Sequence, residues 1–165
     1  MPDKTNIADY IKEDHAELLR LLLVLHSTYF NENAPAEFRE LRQEKAIKRS
    51  YENYLTGIEK NKDDTWKILV AKTQAGKIAG FIIGSVSEDE HLVLGNMGKL
   101  EDWFVDPEFR KEGTGLVLYN ELEKWFKSKG CKQVTSGTWE GNDLSIAAHK
   151  KAGFFISEIT FSKKL

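Results

Sequence analysis

The 165-residue chain is short of several things that would commit it to a class. Cys131 is its only cysteine, so no intrachain disulfide can form, which suits a reducing compartment. Positive charge is not in excess: 24 Lys and Arg against 26 Asp and Glu leave a formal charge of -2, and nucleic acid is a poor candidate for a partner. No apolar run is long enough for a membrane span. The most hydrophobic stretch, Leu18 to Leu25, is broken by Arg20 and falls well below the roughly 20 residues required. Met1-Pro2-Asp3-Lys4-Thr5-Asn6 lacks the cationic start and apolar centre of a signal peptide, so a cytoplasmic location is expected. The histidines, at 15, 26, 91 and 149, show no metal-ligand spacing, and no metal is expected. Internal repeats and low-complexity segments are also missing.

What is present is the balance of an ordinary globular protein, 41% hydrophobic and 30% charged, at a length that suits one domain over residues 1–165. Asn6 to Tyr10 reads as a first strand. Glu13-Asp14 then opens a helix that runs to about Phe30, and Phe38, Leu41, Tyr51, Leu55 and Ile58 mark a second helix ending near Lys60. From Trp66 the texture changes. Trp66 to Ala71 and Ile78 to Val86 flank the turn Gln74-Ala75-Gly76-Lys77 and predict a hairpin. A third strand, Lys99 to Val105, is stopped by Asp106-Pro107. Leu118, Leu122, Trp125 and Phe126 form an apolar helical stripe that ends at Lys127-Ser128-Lys129-Gly130. A strand over 133–138, a short helix from Leu144 to Ala152 capped by Asn142-Asp143, and a closing strand from Phe154 to Phe161 complete the order. This predicts an α/β (α+β) domain with a mixed sheet and helices on its faces.

Between the strand ending at Val105 and the next helix lies Arg110-Lys111-Glu112-Gly113-Thr114-Gly115. Backbone N–H groups and the positive end of a helix dipole converge there, which suits a phosphate, and glycines let a pyrophosphate approach the main chain. Arg110 can add a cationic fork. Alone, such a glycine pair is equally a tight strand-to-helix turn. No Gly-Lys-Ser/Thr follows for a nucleoside triphosphatase, and no third glycine with a ribose-binding acid for a dinucleotide fold.

With its flanks, the loop resembles the GCN5-related N-acetyltransferase (GNAT) superfamily. The hallmark strand followed by P-x-x-R-x-x-G-x-G is similar to Trp103-Phe104-Val105-Asp106-Pro107-Glu108-Phe109-Arg110-Lys111-Glu112-Gly113-Thr114-Gly115. A second signature, Asn-x-x-Ala-x-x-x-Tyr-x-x-x-Gly-Phe, resembles Asn142 to Phe154, with Ser145 in place of alanine and His149 in place of tyrosine. Leu100-Glu101-Asp102-Trp103-Phe104-Val105 looks like the Leu-Glu-Asp strand of spermidine/spermine and 6'-aminoglycoside N-acetyltransferases.

The resemblance implies a mixed, mostly antiparallel twisted sheet of about six to seven strands with helices on both faces. Residues 1–65 would form the acceptor side and 66–165 the acyl-CoA-binding core. It implies acetyl-CoA as donor, held by Phe104, Val105, Arg110, Lys111, Glu112, Gly113, Thr114, Gly115, Asn142 and Ser145, with Glu112 turned to solvent. Lys150 or Lys151 could reach the outer phosphates.

Transfer to a primary amine of a small, polyamine- or aminoglycoside-like molecule is the activity implied, by direct attack in a ternary complex. An amine like that of lysine has a pKa of about 10.4 and must lose a proton before attack. Strand alternation puts Glu101 and Trp103 on one face and Asp102 and Phe104 on the other, with Glu101 as base acting through water. His149 is the expected proton donor to the leaving thiolate. Glu13, Asp14, Glu32 and Glu37 are candidates for holding a cationic acceptor. Protein N-terminal or lysine acetylation, and acyl-CoA sensing without turnover, remain open alternatives, as does a homodimer.

Overall fold

The computed structural model describes residues 5–28, 34–39, 44–61, 63–88 and 95–163. β1 (Asn6–Asp9) leads through a 3-10 turn at Lys12–Asp14 into α1 (His15–Thr28). α2 (Ala36–Arg39) and α3 (Glu44–Lys60) follow, then β2 (Trp66–Lys72), β3 (Ile78–Glu88) and β4 (Asn96–Val105). After a 3-10 turn at Pro107–Phe109 come α4 (Thr114–Ser128), β5 (Gln133–Thr135) and α5 (Asp143–Lys151). The sheet runs β1-β2-β3-β4-β5; the first three pairings are antiparallel and β4–β5 is parallel.

Alternation along the strands divides the core into two layers. Leu18, Leu21, Leu22 and Leu55 of α1 and α3 pack on Ile68, Val70, Phe81, Ile83 and Phe104. Leu118, Tyr119, Leu122 and Phe126 of α4 pack on Leu69, Ala71, Ile82 and Leu100 from the other side. The α4 stripe read from the sequence is thus the buried one. Gly84 and Gly98 make room for it: a Cβ would lie 2.7 Å from Phe126 Cζ at position 84 and 2.8 Å from Phe126 Cδ1 at position 98.

Helices on both faces and a mostly antiparallel sheet agree with expectation, but among the described residues the sheet has five strands rather than six or seven. Residues 154–163 carry the alternating pattern of a strand yet join no ladder. A strand pattern becomes a strand only where a sheet edge receives it. β5 is also shorter than the expected 133–138. The expected second helix comprises α2 and α3; residues 40–43 between them, the end of the first helix at Phe30, and most of the connection before β4, including His91, lie outside the described residues.

Candidate active site

β4 and β5 pair only through Met97↔Gln133, Gly98↔Val134 and Lys99↔Thr135. Beyond Lys99, β4 continues to Val105 bonded to β3 on its other edge, and among the described residues the β5-side edge of 100–105 joins no ladder. At Glu101 the β3–β4 register slips. Ile83 faces Asp102 and Gly84 faces Leu100, which leaves Glu101 as the extra residue of a β-bulge.

The bulge corrects the predicted alternation. Trp103 packs with the α4 layer, as does Leu100 three residues earlier, while Phe104 belongs to the α1/α3 layer. Glu101 does not share Trp103's face. Its carboxylate accepts a hydrogen bond from Ser85 Oγ (2.6 Å) and pairs with Lys99 (2.7 Å), and Ser85 lies two residues beyond Ile83 of the α1/α3 layer. Asp102 lies on that side too and accepts from the Tyr54 hydroxyl of α3 (3.2 Å). Two neighbouring carboxylates therefore point toward the helices of the N-terminal part.

Burial lifts the Asp102 carboxyl to about 6; the Tyr54 hydrogen bond pulls the other way, and the adjacent Glu101 adds to the rise. Burial, followed by the Asp102 and Glu101 charges, pushes the Tyr54 phenol well above its ordinary value.

At the end of β4, Arg110 Nε donates to the Val105 carbonyl (2.9 Å), and the guanidinium lies 5.7 Å from the Phe104 ring centroid. Arg110 thus braces the loop against the strand. Gly113 caps α4 with φ of +84°, a left-handed conformation that glycine adopts without strain, and nothing lies within 4 Å of where its Cβ would be. Val117 N–H is the first to bond within the helix, to Gly113 O (3.1 Å), so the amides of Thr114, Gly115 and Leu116 point out of the helix start. A Cβ on Gly115 would sit 3.4 Å from Trp103 Nε1, which keeps this helix start close to β4. Thr114 is buried, and Lys111 (φ +71°) and Glu112 are exposed. This open, amide-rich turn fits a pyrophosphate.

The other wall is α5. Asn142 caps it, its Oδ1 accepting from Ser145 N (3.1 Å). His149, one turn on, lies against Trp103 and Phe154 with centroid distances of 5.5 and 5.2 Å. Its Nδ1 is 2.7 Å from the Ser145 carbonyl, which can only accept, so Nδ1 carries a hydrogen. In the neutral ring Nε2 then accepts from Ser136 Oγ at 2.8 Å. The Ser145 hydroxyl lies 3.3 Å from the same Nδ1. Lys150 and Lys151 are exposed at the end of the helix.

Of the acidic acceptor candidates, Glu13 is exposed. Asp14 is buried and engaged, pairing with Lys72 (2.7 Å) and accepting from Ile11 N (3.1 Å). Glu32 and the side chain of Glu37 lie outside the described residues. Ser85, Tyr54 and Ser136 were missed by sequence reasoning. A bulge and a cross-element hydrogen bond leave no local signature; only the adjacent Glu101-Asp102 pair hinted that something must satisfy both carboxylates.

A parallel strand pair whose ladder ends at Lys99, a glycine-capped helix start beyond β4 and a histidine-bearing helix packed on Trp103 are the arrangement of mixed-sheet N-acyltransferases. Residues 20–154 match the Acetyltransferase (GNAT) family, and the chain belongs to that family. An aminoglycoside N(6')-acetyltransferase type 1 of Klebsiella aerogenes is 35% identical over 88 residues, 53% of this chain and 58% of that protein. The chain therefore spans less than two thirds of the length of this relative. In fold it is similar to the aminoglycoside N-acetyltransferase AAC(6')-Iy in complex with CoA, with a TM-score of 0.68 and 22% identity over 97% of this chain and 94% of that one. It is likewise similar to AAC(6')-Ih from Acinetobacter baumannii, with a TM-score of 0.69 and 20% identity over 98% and 99% of the two chains. Among the described residues no helix is long and apolar enough to cross a membrane, and no cluster of His, Cys, Asp and Glu could hold a metal ion.

Proposed function

We propose that residues 1–165 act as one N-acetyltransferase domain that moves an acetyl group from acetyl-CoA to a primary amine of a small, polycationic acceptor. The observation that carries this is the bulge at Glu101: it sets a carboxylate pair beside a stretch of β4 whose edge is open and which leads directly to the Gly113 turn. Acetyl-CoA supplies the activated thioester. The Thr114–Leu116 amides hold its phosphates, with Lys111 at the rim, and the main chain of Phe104 and Val105 offers hydrogen-bonding groups to its amide arm. A backbone N–H of the open β4 edge polarises the thioester carbonyl and favours the charge that develops on attack.

Glu101 takes the proton of the acceptor amine through a water. The paired carboxylates Glu101 and Asp102 attract a cationic acceptor toward α1 and α3, on the side assigned to residues 1–65. At the far wall, Ser136 Oγ–H protonates the leaving thiolate while a doubly protonated His149 passes its Nε2 proton to Ser136 and is left neutral. The 2.8 Å contact between Nε2 and Ser136 Oγ makes Ser136 the relay. Asn142 and Ser145 keep α5, and so His149, in register.

A second reading favours Asp102 as the base, since its carboxyl is tuned to about 6, nearer neutrality than an ordinary aspartate. The similarity to aminoglycoside 6'-acetyltransferases favours a polyamine- or aminoglycoside-like acceptor over a protein amine. The test is thermal stabilisation by acetyl-CoA followed by thiol release over a panel of aminoglycosides, polyamines and peptides. Stabilisation with turnover on small polycations supports the proposal. Turnover on peptides alone redirects it to protein acetylation, and binding without turnover on any amine removes catalysis.

A further inference from the structure

The transfer reaction leaves Lys99 without a role, yet its position is a particular one. It is the last residue of β4 to pair with β5, opposite Thr135, and the unpaired edge of the strand begins at the next residue. Its ammonium lies 2.7 Å from Glu101 Oε2, so the two side chains leave β4 on the same side of the sheet.

The two oxygens of the Glu101 carboxylate are held differently. Oε1 accepts from Ser85 Oγ at 2.6 Å, a neutral donor carried by β3. Oε2 faces Lys99. The glutamate side chain is 17% exposed and the lysine side chain 61%, so the carboxylate is fixed while the ammonium can swing into solvent. An exposed lysine pair of this kind contributes little to stability and exchanges readily. A cationic amine that seeks Glu101 therefore meets a primary alkylammonium already on the oxygen it needs. Such an ammonium is unreactive until a base takes its proton, and hydrogen-bond reach is the first requirement of a base. Lys124 and Lys127 form pairs of similar length, 2.6 Å to Glu121 and 2.8 Å to Glu123, but on the face of α4 turned from the sheet. Lys99 joins such a pair to the start of the unpaired β4 edge.

We infer that Lys99 is an internal acceptor: with acetyl-CoA bound and no other amine at Glu101, the chain acetylates its own Lys99. The inference rests on the proposed transferase reading and adds a substrate to it. Two protons leave the ammonium. The first goes to Glu101, freeing the nitrogen lone pair to attack the thioester carbon. The N–C bond forms and the C–S bond breaks, its electron pair staying on sulfur, and the thiolate is protonated from Ser136 and His149. The second proton leaves the nitrogen for solvent, which restores the proton that His149 gave. The sum is Lys99 ammonium and acetyl-CoA yielding acetyl-lysine, CoA thiol and one proton.

The test incubates the full chain alone with acetyl-CoA carrying a deuterated acetyl group and reads the label by peptide mass spectrometry. Label should enter Lys99 about 100-fold faster than Lys124, the increment that a positioned base supplies. With acetyl-CoA saturating, the rate per chain should not change on dilution, because amine and base belong to one molecule. A small polycation that is itself acetylated should slow the labelling by displacing Lys99 from Glu101. Lys99→Arg keeps a cation on the carboxylate but offers no amine; it should lose the label and keep its thermal stabilisation by acetyl-CoA. Label spread evenly over Lys99, Lys124 and Lys127, a rate per chain that falls on dilution, labelling indifferent to an acetylated polycation, or an unlabelled Lys99 in a chain that acetylates an added amine overturns this inference and leaves the transferase reading standing. A chain that takes up no label and acetylates no amine overturns both.

Discussion

The two faces of the sheet are built by different means. On the α4 face, Leu118, Leu122 and Phe126 fill space left by Gly84 and Gly98, and the layer is held by close packing. On the α1/α3 face a leucine core is joined by polar links: Tyr54 to Asp102, Tyr10 to Glu59 (2.5 Å), and His15 to Glu59 (2.7 Å). Packing tolerates no loss of volume but asks little of neighbouring charge. Hydrogen-bonded carboxylates do the reverse, and their value depends on which partners are present and on pH. Under the proposed function, a donor site framed by α4 would need rigidity, whereas an acceptor side facing a cationic amine would need carboxylates held at defined ionisation.

Four changes test this contrast, and the largest is expected on the packed face. Phe126→Ala empties a fully buried site between two glycines and should cost about 3–5 kcal/mol in chemical denaturation. A much smaller loss would mean that this layer is not close-packed. Glu101→Gln should lower acetyl transfer at pH 7 by about 100-fold while leaving acetyl-CoA binding unchanged. Undiminished turnover would move the base to Asp102.

Asp102→Asn sharpens the polar side of the comparison. A carboxyl raised to about 6 resists ionisation in the folded protein, so its penalty is absent below about pH 4 and complete above about pH 6. The wild-type chain should therefore lose stability across that window. The asparagine variant should match it near pH 4 and exceed it by about 3 kcal/mol at pH 7. Equal pH profiles would show that Asp102 is not held in this way. The smallest effect is expected from Asn142→Ala, which removes the α5 cap and should cost about 1 kcal/mol. Because α5 carries His149, turnover should drop more than stability does.

What was legible in the sequence follows the same division. The loop at 110–115, the α4 stripe and the caps of α5 are local devices, each written in neighbouring residues, and the structure has them where the spacing put them. The face of Glu101 was misread because strict alternation fails at a bulge, and a bulge is a relation between two strands rather than a property of one. The Ser136–His149 and Tyr54–Asp102 contacts span 13 and 48 residues, so no window of sequence contains them. The closing strand was read from a real pattern in 154–161, but a pattern does not specify which edge receives it.

Binding of the acyl-CoA donor along the unpaired edge of β4, with the Gly113 turn at its end, is open to direct test. Hydrogen exchange with and without saturating acetyl-CoA tests it residue by residue. Exchange should slow at the amides of residues 103–105 and 114–116 and stay unchanged over α1. Unaltered exchange at both stretches, or protection confined to other parts of the chain, would contradict it.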